Sequence, residues 1–398
     1  TLFPYTTLFR SASLSYIHYG YEIELDSQQI KYVGIDRSFD SNNMPVIAVN
    51  CSIERDILDM MIQSTNDNIV ELGIYRYDAS NQNDNIVKKY FLDRFIYFIG
   101  DDISPTGEID YGNGQTQTRE KYREITMYLL QQDAVNHNRK VINGIFKNAT
   151  TNSLILHITD YVGNTVLEPV EYDNKYDQII IPPTNSISQY IEFLNNNLSV
   201  FYDTHYRFFI DFDMTYIVSS RGKPIQTKNQ NIFTVEINIT GIMPEQDSES
   251  GMIVDNRNGK YILNVPLANL NFTKNNVTNK LVNKITTIDA SGNVVTKDIE
   301  GNDTRVTTAM NKIVTLSNND QNAINNITAD YELNNVFLSI TKNDLDASIF
   351  TINKEYIINL DEDHQNYSGR YLLSAVKQFF IKQNEYFVMT TILMFKKI

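Results

Sequence analysis

The segment from Ile179 to Ser220 restricts the fold of this chain more than any other, because a helix signal and a hairpin signal follow each other directly. It begins IIIPPTNSISQYIEFLNNNL, and its apolar residues recur at spacings of three and four. Residues with this spacing share one face of a helix. The shared face consists of Ile187, Tyr190, Ile191, Leu194 and Leu198. The pattern predicts a short amphipathic helix.

The start of this helix is marked by its flanking residues. Ser186 and Gln189 have the spacing of a capping box, in which each side chain accepts a hydrogen bond from an unpaired backbone N–H group. Pro182 and Pro183 precede them. Proline disfavours the helical conformation of the residue before it, so we expect the helix to begin after these prolines.

The second half of the segment reads SVFYDTHYRFFIDFDMTYIVSS and contains two runs that are rich in aromatic and β-branched residues. The runs meet near Asp211 to Met214. Such residues favour strands, and two runs separated by a short polar turn are typical of a hairpin. We therefore predict a helix followed by a pair of strands.

Strand-like sequence lies on both sides of this segment. In the runs IVELGIYRY and TVEINIT, apolar residues alternate with others, as in a half-buried strand. A chain of 398 residues has room for two to three domains. We predict a β-rich α+β fold with an N-terminal β-barrel-like or sandwich domain over residues 12–133. A mixed α/β segment over 134–228 follows, and a second barrel-like domain over 229–398 contains a polar insertion at about 271–328. The mixed segment contains a further helix from near Thr150, with Leu154, Ile155, Ile158 and Val162 on its apolar side.

The first eleven residues, TLFPYTTLFRS, differ in composition from the rest of the chain. The same string results when a widely used sequencing adapter is translated in frame. We therefore expect residues 1–11 to be an artefactual leader that precedes the natural sequence, and we leave them out of the fold prediction.

Charge and cysteine content exclude several classes of function. The formal net charge of −14 argues against a surface that wraps DNA, which requires clustered Lys and Arg residues. The single cysteine, Cys51, excludes an intrachain disulfide, and its apolar neighbours indicate a buried structural thiol. No apolar run approaches the roughly 20 residues that a membrane-spanning helix needs, so we expect no membrane-spanning segment.

Two groups of residues resemble reactive sites and need to be weighed. Asp203, His205, Asp211 and Asp213 could supply a metal site or an acid–base pair, but neighbours on a hairpin point to opposite faces, so turn and surface roles are favoured. The run from Asp361 to His364 lacks the ligand spacing of a calcium loop and is interpreted as a solvated turn.

Other motifs give no stronger signal. The five histidines have no paired ligand spacing, and they are His18, His137, His157, His205 and His364. Gly112 and Gly114 are too close together for a phosphate-binding loop. We accordingly predict no catalytic, cofactor-binding or metal-binding residues, no cofactor and no enzymatic activity.

The order of apolar strand, Pro-Pro, short helix and aromatic hairpin resembles the tail hub, or baseplate hub, proteins of tailed bacteriophages. The run PVIAVNCSIERDILDMMI and the closing runs YSGRYLLSAVKQFF and FVMTTILMFKK are similar to the first and last strand groups of that family. The resemblance implies two small β-barrels joined by an α/β segment. It also implies a homotrimer whose six barrels form a ring that connects the tail tube to the spike or central tail tip.

The same resemblance implies a structural virion protein, made in the cytoplasm of the host bacterium and located in the tail. Its expected partners are other copies of itself, the tail tube and the spike or baseplate proteins, with no direct binding of nucleic acid. Two alternatives remain open. One is a cell-wall hydrolase or peptidase carried on the tail, and the other is a receptor-binding tail adhesin.

Overall fold

The structure is a computed structural model of the chain. It describes residues 9–18, 21–25, 27–39, 43–64, 69–77, 87–100, 107–110, 116–119, 122–168, 175–195, 206–212, 214–219, 233–240, 252–255, 260–274, 284–288, 294–298, 336–347, 350–384 and 386–398.

Strands form most of the described chain. They are β1 (Phe9–His18), β2 (Tyr21–Leu25), β3 (Ile30–Ser38), β4 (Val46–Glu54), β5 (Ile69–Tyr77), β6 (Val87–Ile99), β7 (Gly107–Asp110), β8 (Thr116–Arg119), β9 (Tyr122–Gln131), β10 (Gly144–Thr150), β11 (Thr165–Leu167), β12 (Lys175–Ile181), β13 (Tyr206–Asp211), β14 (Met214–Ser219), β15 (Phe233–Thr240), β16 (Met252–Asp255), β17 (Lys260–Pro266), β18 (Leu270–Lys274), β19 (Lys284–Ile288), β20 (Val294–Asp298), β21 (Val336–Asn343), β22 (Glu355–Asn359), β23 (Gly369–Gln383) and β24 (Tyr386–Lys397).

The helices in the described residues are short. They are α1 (Arg55–Gln63), α2 (Gln132–Asn138), α3 (Thr151–Thr159) and α4 (Ile187–Phe193), with 3-10 turns at Leu267–Asn269 and Glu362–Tyr367. None of them has the length and apolar character needed to cross a bilayer. The predicted β-rich α+β fold is confirmed at this level.

Most strands belong to one large, mainly antiparallel sheet. Pairing passes from β23 through β3, β4, β9, β6 and β5 to β1. At the end of this path Phe9 of β1 is opposite Phe387 of β24, and β24 pairs with β23 along its length. The path of pairing therefore returns to the strand from which it started.

A second path of pairing uses the same two strands. β23 also pairs with β22, which lies beside β15, and β24 also pairs with β21, which lies beside β18. β17 and β18 are separated only by the turn Leu267–Asn269, and β17 pairs with β15. Residues 260–274 thus form one bent segment that contacts β15 with its first half and β21 with its second.

The buried apolar side chains form three clusters. The first core contains residues of β1, β3, β4, α1, β5, β6 and β9 together with Phe380, Phe387 and Met389. The second core is built mainly from β15, β17, β21, β22 and the remaining parts of β23 and β24. The third core contains residues of α2, β10, α3, β12, α4, β13 and β14. Alternate residues of a strand point to opposite sides, so every second residue can face a core. In β24, for example, every second residue from Phe387 to Phe395 is buried.

The helices predicted from the sequence are present. α3 begins after Thr150, whose side chain forms a capping box with Ser153, and all four residues predicted on its apolar side are buried, namely Leu154, Ile155, Ile158 and Val162. α4 follows Ser186 as predicted and buries Ile187, Tyr190, Ile191 and Leu194. Leu198 lies outside the described residues. The predicted hairpin is confirmed as β13 and β14.

The capping box predicted for α4 is wrong in one detail. Ser186 Oγ accepts a hydrogen bond from the backbone N–H of Gln189 at 3.1 Å, as predicted. Gln189 Oε1, however, accepts from the backbone N–H of Asn185 at 2.8 Å, which is one residue before the cap. The long glutamine side chain reaches past Ser186 to the preceding residue, so the reciprocal bond of a capping box is replaced by one to Asn185.

The predicted domain boundaries at residues 133 and 228 stay predictions, and residue 228 lies outside the described residues. Of the predicted insertion at about 271–328, the structure describes 271–274, 284–288 and 294–298. β1 begins at Phe9, so the last three residues of the segment that we left out of the fold belong to a strand. The origin of residues 1–11 as a leader stays a prediction.

Candidate functional site

The hairpin β13–β14 lies where the three cores meet. Phe208 and Ile210 of β13 belong to the third core, whereas Phe209 between them belongs to the second. Side chains that alternate along a strand point to opposite faces, which explains this division. Phe212, directly after the strand, packs against the first core. One six-residue strand and its turn therefore contact all three cores, and we call this region the joint.

A buried ion pair fixes the joint to the end of β3. Arg37 Nε donates to Asp211 Oδ1 at 2.9 Å, and Arg37 Nη2 donates to Asp211 Oδ2. The side chains are only 13% and 7% exposed. The Arg37 guanidinium also lies 5.8 Å from the centre of the Phe212 ring. Two parallel hydrogen bonds fix the mutual orientation of the two groups. Because both side chains are largely removed from water, loss of either one would leave the other as an uncompensated buried charge.

Aromatic stacking and a backbone bond extend this contact. The ring of Phe39 stacks on Phe209 at 4.4 Å, and Phe209 stacks on Tyr216 at 4.8 Å. The backbone N–H of Ile210 donates to the carbonyl of Asn43 at 2.7 Å. Burial raises the pKa of Tyr216, and the carboxylate of Asp211 adds to the effect. The chain around residues 37–43 is thus bound to the joint by charge, ring contact and backbone.

Of the first group of acidic candidates, the structure describes only Asp211. Asp211 is held by Arg37 in the joint, while Asp203, His205 and Asp213 lie outside the described residues. Arg37, which sequence reasoning missed, is 174 residues away from its partner. No local spacing could have indicated a pair of that separation.

The second group forms the start of the 3-10 turn Glu362–Tyr367. Asp361 Oδ1 accepts from the backbone N–H of His364 at 3.1 Å and lies 2.7 Å from His364 Nδ1. The imidazole stacks on Phe272 at 5.9 Å. Asp361, Glu362 and Asp363 are exposed. These contacts are those of a helix cap, in which the carboxylate is used to satisfy a backbone donor.

Of the remaining candidates, His157 contacts neighbouring side chains and Cys51 lies in the first core. His157 Nδ1 lies 3.3 Å from Asp160 Oδ2, and the imidazole ring makes edge-to-face contacts with Phe146 and Tyr161. Cys51 is a buried free thiol, as predicted, and burial raises its pKa to about 12. A thiol with so high a pKa is a poor nucleophile and metal ligand at neutral pH. Gly112 and Gly114 lie outside the described residues.

Metal binding has no visible site in the described part of the chain, where no three His, Cys, Asp or Glu residues are placed to hold an ion. The arrangement at the joint instead connects parts of the fold. A paired Arg and Asp with stacked aromatic rings can fix orientation, because the contacts are both directional and desolvated.

Comparison with known proteins identifies a shared fold and a family. A tail protein from Neisseria meningitidis MC58 superposes with a TM-score of 0.50 at 13% identity, over 97% of this chain and 97% of that chain. The 43 kDa tail protein of prophage MuSo2 from Shewanella oneidensis gives 0.49 at 8% identity, over 97% and 98%. No curated protein matches the chain. The family model of the bacteriophage PBS1 gene 109 protein matches residues 14–398. The resemblance to a phage protein family is therefore confirmed, and the chain belongs to the bacteriophage PBS1 gene 109 protein family.

Proposed function

We propose that this chain is a structural, non-enzymatic component of a phage tail and acts there as the baseplate hub. The observation that carries the proposal is the family match, which extends over residues 14–398. The fold shared with the Neisseria tail protein supports it at the level of architecture. In this role the chain resides in the virion tail and connects the tail tube to the spike.

The strand pairing supports the two small barrels that a hub of this kind contains. In our proposal the first barrel consists of β3, β4, β9, β6, β5, β1, β24 and β23, and the second of β15, β22, β23, β24, β21 and the bent segment β17–β18. Lys342 Nζ of β21 donates to the carbonyl of Asn264 on β17 at 3.0 Å, which favours closure of the second barrel. The joint of the mixed α/β segment then lies between the two barrels.

The two barrels would share one long hairpin. β23 has 15 residues and β24 has 12, so at about 3.3 Å per residue they extend for roughly 40 to 50 Å. Phe380 and Phe387 lie in the first core, whereas Leu373 and Phe395 lie in the second. Strands that run through both cores favour a stiff unit, which suits a ring that transmits load between tube and spike.

The test is the assembly state of the purified chain and its place in the particle. We expect native mass spectrometry to detect a homotrimer and electron microscopy to show a ring with six barrel densities. Chemical cross-linking of intact virions should connect the chain to tail-tube and spike proteins. A strictly monomeric chain at high concentration, together with its absence from virions, would overturn the proposal.

The alternative of a cell-wall hydrolase has no specific observation in its favour among the described residues, and neither has the adhesin. The ion pair also changes how a hydrolase should be tested. Asp211→Asn removes a charge that Arg37 needs, so lost turnover in that variant would not distinguish catalysis from folding. Asp213→Asn is the informative substitution.

A further inference from the structure

Asn143 and Gly144 form an exposed Asn-Gly pair at the start of β10. The chain contains three such pairs, and this is the one that the structure describes, since those at 113–114 and 258–259 lie outside the described residues. Asn143 is exposed and directly precedes the strand, whose first residue, Gly144, lies opposite Ile181. An asparagine followed by glycine can react with its own backbone, so the geometry of this pair decides whether the reaction is accessible.

The reaction joins the side chain of an asparagine to the backbone nitrogen of the next residue. That nitrogen loses its proton and forms a bond to Cγ of the asparagine. Ammonia leaves with a proton from water, and a cyclic succinimide remains. Water then opens the ring at the side-chain carbonyl to give aspartate, or at the main-chain carbonyl to give isoaspartate, in which the backbone runs through Cβ and Cγ. Overall, one amide and one water molecule become one carboxylate and one ammonium ion, and no oxidant is consumed.

Gly144 leaves the attacking nitrogen accessible. A side chain on this residue would shield the nitrogen, and glycine has none. The position that a Cβ atom of Gly144 would occupy has no heavy atom within 4 Å, apart from those of the residue itself and its chain neighbours. Gly144 also forms the terminal pair of the β10–β12 ladder, and local opening is easiest at the ends of elements. Hydroxide and the Asn143 side chain can therefore both reach the nitrogen.

The charges around Asn143 favour the reaction, although the chain as a whole has a net charge of −14. Residues 139–150 contain no acidic residue and three exposed cations, namely Arg139, Lys140 and Lys147. The exposed charges of the paired strand β12 are Lys175 and Asp177, which are of opposite sign. A positive local potential attracts hydroxide and stabilises negative charge on the attacking nitrogen and on the product carboxylate.

We propose that Asn143 is a site of spontaneous deamidation in the folded protein, with water as the co-reactant. Asn148 provides the contrast within the same strand. It is exposed as well, but it is followed by Ala149, whose buried side chain shields the backbone nitrogen. Asn148 therefore retains its amide. The modification of Asn143 adds a negative charge to a positive part of the surface.

The isoaspartate product changes the backbone between two fixed residues. Ile142 is 0% exposed, and its carbonyl accepts a hydrogen bond from Thr184 Oγ1 at 3.1 Å. Gly144 is held opposite Ile181. Isoaspartate places an additional backbone atom between these two positions, so the third core has to adjust. In the proposed function the chain is assembled once and not renewed, and such copies would accumulate in ageing particles.

The test incubates the folded full chain at mildly alkaline pH and follows the amide by mass spectrometry. Trypsin cleaves after Lys140 and Lys147, and residues 141–147 contain no Asn or Gln other than Asn143, so a mass gain in this peptide reports that residue. We expect conversion about tenfold or more faster than at Asn148, with isoaspartate among the products. The rate should rise with pH, because the attacking nitrogen must lose its proton. Asn143→Gln should abolish the conversion, since its longer side chain would have to close a less favourable ring.

The chain unfolded in guanidinium chloride is the reference for intrinsic reactivity, and unfolding curves verify the folded sample. Conversion in the unfolded chain with an unchanged peptide in the folded one would overturn the proposal. Equal rates at Asn143 and Asn148 would contradict the role of Gly144, and aspartate without isoaspartate would exclude the succinimide route.

The backbone change is tested separately from the new charge. Aged protein enriched in isoaspartate should unfold at a lower temperature than Asn143→Asp, which carries the same charge on an unaltered backbone. Equal midpoints would contradict an effect on the third core. Because these assays use the isolated chain, their failure would leave the hub role standing, and a chain that is absent from virions would overturn the hub role without affecting the modification.

Discussion

The guanidinium of Arg37 binds both carboxylate oxygens of Asp211, although 174 residues separate them in the chain. Arg37 is opposite Val376 in the pairing of β3 with β23, next to the terminal pair of Ser38 and Ala375. Asp211 ends β13. The pair therefore fastens the mixed α/β segment to the large sheet, and it does so where water is largely absent.

Removal of one partner of this pair should be strongly destabilising. Arg37→Met leaves the carboxylate of Asp211 buried without its counter-charge, so we expect a loss of about 3–5 kcal/mol in the free energy of unfolding. The double variant Arg37→Met with Asp211→Leu should recover most of that loss, because no buried charge remains. Urea denaturation of the four proteins in a double-mutant cycle measures the coupling.

The partly exposed pair of Lys377 and Asp36 is the matched control, since Asp36 lies next to Arg37 on β3 and Lys377 lies on the neighbouring strand β23. Its atoms are 2.9 Å apart, but the side chains are 31% and 37% exposed. Lys377→Met should cost less than about 1 kcal/mol because water screens the charges. Similar losses in both single variants would contradict a special role of the buried pair.

The sequence predicts local elements of this fold well and long-range relations poorly. Periodicity and capping residues predict α3, α4 and the hairpin, because these depend on neighbours within about four residues. Arg37 carries no such signal, and neither does the parallel pairing of Phe233 with Tyr356, which is more than a hundred residues distant. Such contacts depend on tertiary packing. Strand alternation alone indicates from the sequence that Asp211 is a structural residue. Its partner, Arg37, is identified only by the structure.

Replacement of Phe212 by glycine should give a more stable protein than replacement by alanine, which is the reverse of the order at an ordinary strand position. Its φ angle is 53°, in the left-handed region that strains residues with a Cβ atom. Phe212→Gly and Phe212→Ala both lose the ring that packs against the first core, but only glycine relieves the strain. We expect the glycine variant to be more stable by about 0.5–1 kcal/mol.

Tyr216 on the partner strand provides the comparison for Phe212, since it lies in an ordinary strand position. There the alanine variant should be more stable than the glycine variant by about 0.5–1 kcal/mol. Thermal unfolding of the four variants measures both differences. The same order at both positions would show that the turn stores no strain at Phe212.

Cys51 should make the chain less stable in alkali. Burial raises the pKa of its thiol from an ordinary value of 9.0 to about 12, with the nearby Glu124 carboxylate contributing. The folded state thus retains a proton that the unfolded state loses. The contribution is fully present below pH 9 and is lost as the pH rises towards about 12.

The measurement is the free energy of unfolding between pH 8 and 10, in wild type and in Cys51→Ala. Unfolded tyrosines, whose ordinary pKa is 10.0, also begin to titrate in this window, but they do so in both proteins, so the difference between the two slopes reports the thiol. We expect the stability of the wild type to fall more steeply with pH than that of the variant. Parallel slopes would show that the thiol titrates equally in both states. Its reaction with a thiol reagent should likewise follow global unfolding.

The cap of α4 should contribute measurably to the stability of the protein, although the helix has only seven residues. Ser186→Ala removes the acceptor for the Gln189 N–H group, and we expect a loss of about 1 kcal/mol. Ser186→Asp retains an acceptor and adds a negative charge at the helix N-terminus, so its stability should match the wild type or exceed it. Thermal unfolding compares the three proteins. An Ala variant as stable as the Asp variant would mean that packing of Tyr190, whose hydroxyl donates to the Leu154 carbonyl at 2.9 Å, holds the helix without its cap.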